Sequence, residues 1–457
     1  MNRNLFLFSS LFALSPCAGW AGQPSGKQDS PKNILVFIAD DLARNELGCY
    51  GGQNVKTPNI DRFAGEGVCF NRMFSSTTMC CPTRASIYTG LYPVKHGVYK
   101  NHGATKPDVK SVVHYFRDLG YRVGLTGKTH FRPKSVYPFE IIDGFEPNCV
   151  AKTAGYTTNG IAEYIKRDPD QPFCLFVCST LPHAPWTVGD TGKFDPAKLQ
   201  LPPHFVDNQE TRIAFAAYLA EIEALDRQFG DVLKALKSTG EDSTTLVMFC
   251  GEQGPQFPGG KWTSWDYGQK SAFLLRSPEG FLRGTTSEAL LQYEDVLPAM
   301  IAYAGGKIPE NLDGESFMPV LLGKTTIHRE WAFGVHNNVP EGTPYPVRSI
   351  RNDRYKLIVN LTPEASYFEK HLMAPEKDSY WNAWVRDAKT SEKARYWVDR
   401  YVTRPAIEFY DTQEDPWELN NLASDKKMEP MIRDMNKKLM NWMKNQKDPG
   451  KALDVEQ

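Results

Sequence analysis

Charge imbalance is missing from this sequence. Its 53 Lys and Arg residues stand against 54 Asp and Glu over 457 residues, for a formal net charge of −1. There is no basic tail or block of like charge, so the electrostatic footprint that nucleic acid or a polybasic membrane contact requires is not there. Long apolar runs are missing too. The N-terminal run Leu5–Leu14 is too short to cross a bilayer, which needs about 20 residues, and no other segment is a transmembrane candidate. CxxC pairs and His-rich spacings, the usual zinc patterns, are absent. So are internal repeats and low-complexity stretches.

The nine cysteines, at 17, 49, 69, 80, 81, 149, 174, 178 and 250, do not have the spacing of a small disulfide scaffold. Cys174, Cys178 and Cys250 sit inside apolar runs, where a buried free thiol is the default. Pairing among the others stays open in an oxidising compartment.

The first residues read as an export signal over 1–21. Arg3 gives a positive start, Leu5–Leu14 an apolar core, and Ala18, Gly19 and Ala21 the small residues of a cleavage site. The expected location is a bacterial periplasm. Leu14-Ser15-Pro16-Cys17 is loosely like a lipoprotein box, so an outer-membrane lipid anchor is an alternative, as is secretion.

After the signal the pattern is α/β. Four apolar runs, 33–39, 121–126, 173–179 and 245–250, predict buried parallel strands. Amphipathic stretches over 109–119 and 212–236 alternate with them. Beyond about Leu322 the runs shorten and alternate, at 331–335, 345–350, 355–360 and 407–411. They predict a small antiparallel sheet, followed by a helix over 428–445. The expected organisation is a catalytic region over 30–325 and a smaller α+β subdomain over 326–457.

Polar residues fall directly after the four strands. Asp40 and Asp41 follow the first, Lys128 and His130 the second, His183 the third, and Glu252 with Gln253 the fourth. In open α/β sheets the ligand site lies beyond the carboxyl ends of the strands. An Asp-Asp pair taken alone reads as a helix cap beside a surface charge. Here Asp40, Asp41, Glu252 and Gln253 offer hard oxygen donors, which suit Ca²⁺, with Mg²⁺ as the alternative, rather than zinc.

The stretch Cys80-Cys81-Pro82-Thr83-Arg84 is the other focus. Pro82 suits the first position of a helix and Gly90 its end. Cys80 is then expected at or just before a helix N-terminus, where unpaired N–H groups favour an anion. Arg84, one turn on, reaches back over the same spot.

The run Cys80-x-Pro82-Thr83-Arg84-Ala85-x-x-x-Thr89-Gly90 resembles the signature of the type I sulfatases, in the alkaline-phosphatase-like superfamily. The similarity extends from about Asn33 to Leu422. The fold it implies is a large, mostly parallel sheet flanked by helices, with a C-terminal subdomain on an antiparallel sheet. It implies that Cys80 is oxidised to formylglycine by a sulfatase-maturating enzyme, and that Arg84 holds the modified residue. Lys128 and Lys261 would bind sulfate oxygens, His183 would protonate the leaving group, and His130 would partner the formylglycine. Asp40, Asp41, Cys80, Glu252 and Gln253 would surround the metal. Glu252-Gln253 stands where the family usually has Asp-Asn or Asp-His.

Gly127-Lys128-Thr129-His130, Gly254-x-x-Phe257-Pro258-x-Gly260 and Tyr345-Pro346-x-Arg348-Ser349 resemble the sulfamidase branch (N-sulfoglucosamine sulfohydrolases). On that resemblance His336 and Arg348 would face the sugar, although a structural role for both is an equal reading. The activity implied is release of N-sulfate from glucosamine in heparin or heparan sulfate fragments. The alternatives are O-sulfate release from glucosamine, galactose or N-acetylgalactosamine, and an inactive protein that binds sulfated glycans.

Overall fold

The run Asn33–Ile38 is apolar on both faces, and every residue in it is buried. A strand with no polar face has to lie inside a sheet with both sides covered. In the computed structural model, which describes residues 33–278, 280–375 and 379–454, this strand (β1) lies at the middle of a nine-stranded sheet. The expected signal segment and Cys17 fall outside the described residues.

The other strands of the sheet are β2 (Val68–Phe74), β3 (Arg122–Gly127), β4 (Glu140–Ile141), β5 (Phe173–Cys178), β6 (Thr245–Cys250), β7 (Lys270–Arg276), β8 (Thr285–Ser287) and β9 (Leu291–Gln292). Their order is β4-β3-β5-β1-β6-β7-β2-β8, with β9 also paired to β2. The four strands expected from the sequence are the adjacent parallel set β3-β5-β1-β6. Only β7 runs against its neighbours.

Alternate residues of β1 feed two different cores. Leu35 and Phe37 face one side, where Phe37 packs on Phe229 and Phe249 at centroid separations of 5.1 and 5.6 Å. Phe229 belongs to the long helix Gln209–Ser238, whose first turn is capped by Asn208 Oδ1 accepting from the Thr211 N–H at 2.9 Å. Ile34, Val36 and Ile38 face the other side, against Val112, Val113 and Phe116 of the helix Val112–Asp118.

A second sheet, β10 (Ala332–His336), β11 (Val347–Arg351), β12 (Tyr355–Asn360) and β13 (Ile407–Asp411), is wholly antiparallel. Helix Glu429–Gln446 covers it with Met435, Leu439, Trp442 and Met443. The two sheets are joined by buried polar links. Asp266 pairs with Arg351 at 2.5 Å and Lys356 at 2.7 Å, and the Val335 N–H donates to the Ser76 carbonyl at 2.7 Å. Among the described residues, no helix is long and apolar enough to cross a membrane.

Candidate active site

Cys80 is the first residue of the helix Cys80–Thr89, entered from an extended Met79 and ended by Gly90 at φ 65°. Pro82 is therefore the third helical residue, not the first as expected. The third N–H of a helix also lacks an intrahelical partner, so proline costs nothing there. All ten residues of the helix are buried. The Cys81 N–H at its mouth is bonded to Asn101 Oδ1 at 3.3 Å.

The strand ends deliver their polar residues to this helix. Lys128 Nζ donates to Asp40 Oδ2 at 2.5 Å, and Lys261 Nζ donates to Asp41 Oδ2 at 2.7 Å. Gln253 Nε2 reaches both Asp41 Oδ1, at 2.7 Å, and Cys80 Sγ, at 3.2 Å. Arg84 forms a two-pronged pair with Glu252, both contacts at 3.1 Å, and lies 3.7 Å from Asp40. His183 Nε2 stands 3.6 Å from Asp41 Oδ2. His130 bonds through Nε2 to His102 Nδ1 at 2.8 Å.

Backbone strain accompanies this convergence. Asp41, His130, Glu252 and Trp262 all have left-handed φ, between 43° and 64°, which costs a non-glycine residue energy and clusters at functional sites. Gly127, at φ 86°, allows the Lys128 N–H to bond the Cys178 carbonyl. A Cβ on Gly127 would lie 2.0 Å from that oxygen.

The site's charged side chains are buried, so charge governs it. Burial pushes the Asp40 carboxyl up, but Lys128, His183 and Arg84 outweigh that and hold it well below the usual range. Burial leaves Asp41 raised despite Lys261, and leaves Glu252 raised despite Arg84, with Asp40 adding to both shifts. Lys128 and Lys261 stay charged because their carboxylate partners outweigh burial. Burial and neighbouring cations hold His130 and His183 well below an ordinary imidazole. Burial, with Glu252 adding to it, pushes the Cys80 thiol well above its ordinary range.

Three ligand groups lie close enough to share an ion: Asp40/Cys80/Glu252, Asp41/Cys80/His183 and Asp40/Cys149/His183. Asp40 Oδ1 and Gln253 Oε1 are buried and have no hydrogen-bond partner among the described residues. Orphaned hard oxygens beside raised carboxyls fit a divalent cation of the calcium or magnesium kind.

Several supporting residues carried no signal in the sequence. Lys152 holds the His183 carbonyl and pairs with Glu221 of the long helix at 2.5 Å, and Glu221 also accepts from the Thr187 and Val188 N–H groups. Glu341 accepts from Asn101 at 2.6 Å and lies 3.4 Å from His102 Nε2. Both clusters join segments distant in sequence, which no local motif reveals.

The expectation for Arg348 needs correcting. Its side chain is fully buried and bonded to Asp448 at 2.5 and 2.9 Å and to the carbonyls of His336, Val347 and Gly450. A guanidinium with every donor spent inside the fold presents no face to a sugar. Arg348→Ala is expected to destabilise the protein by about 3–5 kcal/mol, because it strands Asp448. Thermal melting would show this as a lower Tm, while KM of the surviving protein stays near wild type. His336 is likewise buried, with burial pushing its imidazole down to about 3. It shares no hydrogen bond or ion pair with the Cys80 cluster among the described residues.

Comparison with known proteins agrees with this chemistry. A family model described as Sulfatase matches residues 32–306, and one described as N-sulphoglucosamine sulphohydrolase, C-terminal, matches residues 261–378. An ulvan-active sulfatase of Formosa agariphila is 34% identical, covering 91% of this chain and 80% of its own. The N-sulphoglucosamine sulphohydrolase of Homo sapiens is 27% identical, covering 92% of this chain and 91% of its own. A solved structure in complex with D-glucosamine-2-N,6-O-disulfate shares the fold at a TM-score of 0.70 and 20% identity, over 92% of this chain and 99% of that one. The chain belongs to the sulfatase family, hydrolases of sulfate esters or sulfamides.

Proposed function

We propose that this protein is an exported glycan sulfatase that removes N-sulfate from glucosamine in heparin or heparan sulfate fragments, with formylglycine at position 80 and one bound Ca²⁺. The observation that carries the N-sulfate reading is the C-terminal match over residues 261–378, which spans Lys261 beside the catalytic cluster. One observation favours a second reading, O-sulfate release: the 34% identical relative is named for activity on ulvan.

Roles follow from the geometry. Lys128 and Lys261 are charged, buried and held by Asp40 and Asp41, so they supply fixed positive charge for sulfate oxygens. His183 bonds through Nδ1 to the Ala184 carbonyl, which leaves Nε2 free to carry the proton that an amine leaving group needs. An anion arriving beside His183 raises its pKa and favours that protonated form. Arg84, fixed by Glu252, and Gln253 hold the environment of residue 80. An aldehyde hydrate at that position supplies an oxygen nucleophile and a route for expelling sulfate. A cation held by Asp40, Asp41, Glu252 and Gln253 supplies further positive charge. In this reading the catalytic groups belong to the region 30–325, and 326–457 supports them.

Sulfate release from N-sulfated and O-sulfated monosaccharides, measured side by side, tests the assignment. The expected result is kcat/KM for glucosamine N-sulfate at least about tenfold above any O-sulfated sugar, since a site built to bond one group rejects analogues that lack it. Release from O-sulfated sugars alone refutes the N-sulfate reading.

A further inference from the structure

A second set of cations lies outside the catalytic cluster. Arg44, Arg72, Lys270 and Arg351 line a cavity of about 490 Å³, with Glu288 and Asp353 as its acids. Arg44 and Lys270 also line an adjoining cavity of about 140 Å³. Two of the four cations are already neutralised. Arg72 pairs with Glu288 at 3.2 Å, and Arg351 pairs with the buried Asp266.

Arg44 and Lys270 are not neutralised. Arg44 gives Nη1 to the Asn71 carbonyl at 2.8 Å and rests over the Tyr50 ring at 4.0 Å, but its Nε is buried without a partner. Lys270 Nζ has no hydrogen-bond or ion-pair partner among the described residues. Burial pushes its amine down to about 8, and Arg44, Arg351 and Arg72 add to that push against Asp266. Folded proteins seldom leave buried charge without a counter-charge. Two uncompensated donors of one sign facing a shared cavity form a receptor for an oxyanion, and guanidinium geometry suits sulfate oxygens.

The position of the cleft bears on function. β7 runs antiparallel to β6, so Lys270, its first residue, lies past the carboxyl end of β6. Arg44 is three residues from Asp41, so their Cα atoms are at most about 11 Å apart. The cleft therefore opens along the same edge of the sheet as the catalytic cluster.

We infer that the cleft between Arg44 and Lys270 is a second anion site, which holds a sulfate group on a neighbouring sugar of the glycan chain. The identification of the anion as glycan sulfate rests on the proposed function, whereas the anion site itself does not.

Calorimetry on full-length Cys80→Ala protein, with and without Lys270→Gln, tests the inference. The titrants are a heparin hexasaccharide and sodium sulfate. Without Lys270→Gln, the hexasaccharide should bind as one class of site, engaging the catalytic cluster and the cleft at once. With it, that affinity should fall by about tenfold or more. In the otherwise wild-type enzyme, Lys270→Gln should raise KM for the hexasaccharide and leave kcat/KM for a monosaccharide unchanged. Its Tm should stay level or rise, because the substitution removes an unpaired, partly buried cation. Equal Lys270-dependent binding of free sulfate, with no preference for the oligosaccharide, overturns the glycan assignment. Unchanged hexasaccharide binding in a folded Lys270→Gln protein overturns the site. Absence of turnover on every sulfated sugar sinks the proposed function instead, and leaves the binding result standing.

Discussion

Cys80→Ala is expected to lower kcat by about 10⁴-fold or more, the loss typical of removing a nucleophile, while leaving the fold intact. The thiol it removes is 1% exposed, and burial holds it protonated. A protonated thiol is a poor nucleophile, and it offers no path for expelling sulfate after attack. On the proposed mechanism the residue works in another chemical form, and mass spectrometry of the peptide spanning position 80 in active enzyme should show an aldehyde or its hydrate. Cys81→Ala is the control. Cys81 Sγ donates to the Gly103 carbonyl at 3.6 Å and packs with Ala85 and Val98, away from the Asp40–Asp41 pair. That variant should keep a substantial part of turnover. Full activity from protein carrying only unmodified Cys80 would refute the mechanism.

Removing the metal should have an effect of similar size. A chelator-treated sample is expected to lose about 10³-fold or more in activity, because a bound cation supplies several kcal/mol of charge stabilisation, and to recover with Ca²⁺. Elemental analysis of protein purified without chelator should give one Ca²⁺ per chain, and stoichiometric zinc without calcium would overturn the reading. The effect of pH has a definite sign. Asp41 and Glu252 are raised by burial, so they must shed protons before a cation binds. Apparent metal affinity should rise with pH and fall as the solution is acidified, which chelator competition at two pH values would measure.

The sheet was legible where the chain is apolar on both faces. β1, β3, β5 and β6 are fully buried, and their runs announce it. β2 was not, because Asn71 and Arg72 interrupt its apolar pattern at the irregular pairing with β7 between Phe70 and Met73. Two-residue strands such as β4 leave no pattern at all. Asp40, Asp41, Lys128, His183, Glu252 and Gln253 could be singled out because each follows a strand, whereas Cys80, Arg84 and Lys261 stood out only through the motifs around them. The supports of the site were not legible, since Lys152 meets Glu221 across 69 residues and Asn101 meets Glu341 across 240. For the same reason the sequence left Arg348 open between a sugar-facing and a structural role. The motif around it is local, but its partner Asp448 lies 100 residues away.

The complete burial of the Cys80 helix sets a clock on biosynthesis. If residue 80 is altered by another enzyme, that enzyme needs the segment extended and accessible, and it has access only until the helix finds its partners. Those partners arrive late. Arg84 waits for Glu252, 168 residues downstream, and Cys80 waits for Gln253, 173 residues downstream. At about 5–20 residues per second of translation, that separation gives roughly 8–35 s between emergence of the segment and its closure. The topology that places residue 80 early and its lid of polar side chains late would thus set the interval in which such a modification competes with folding.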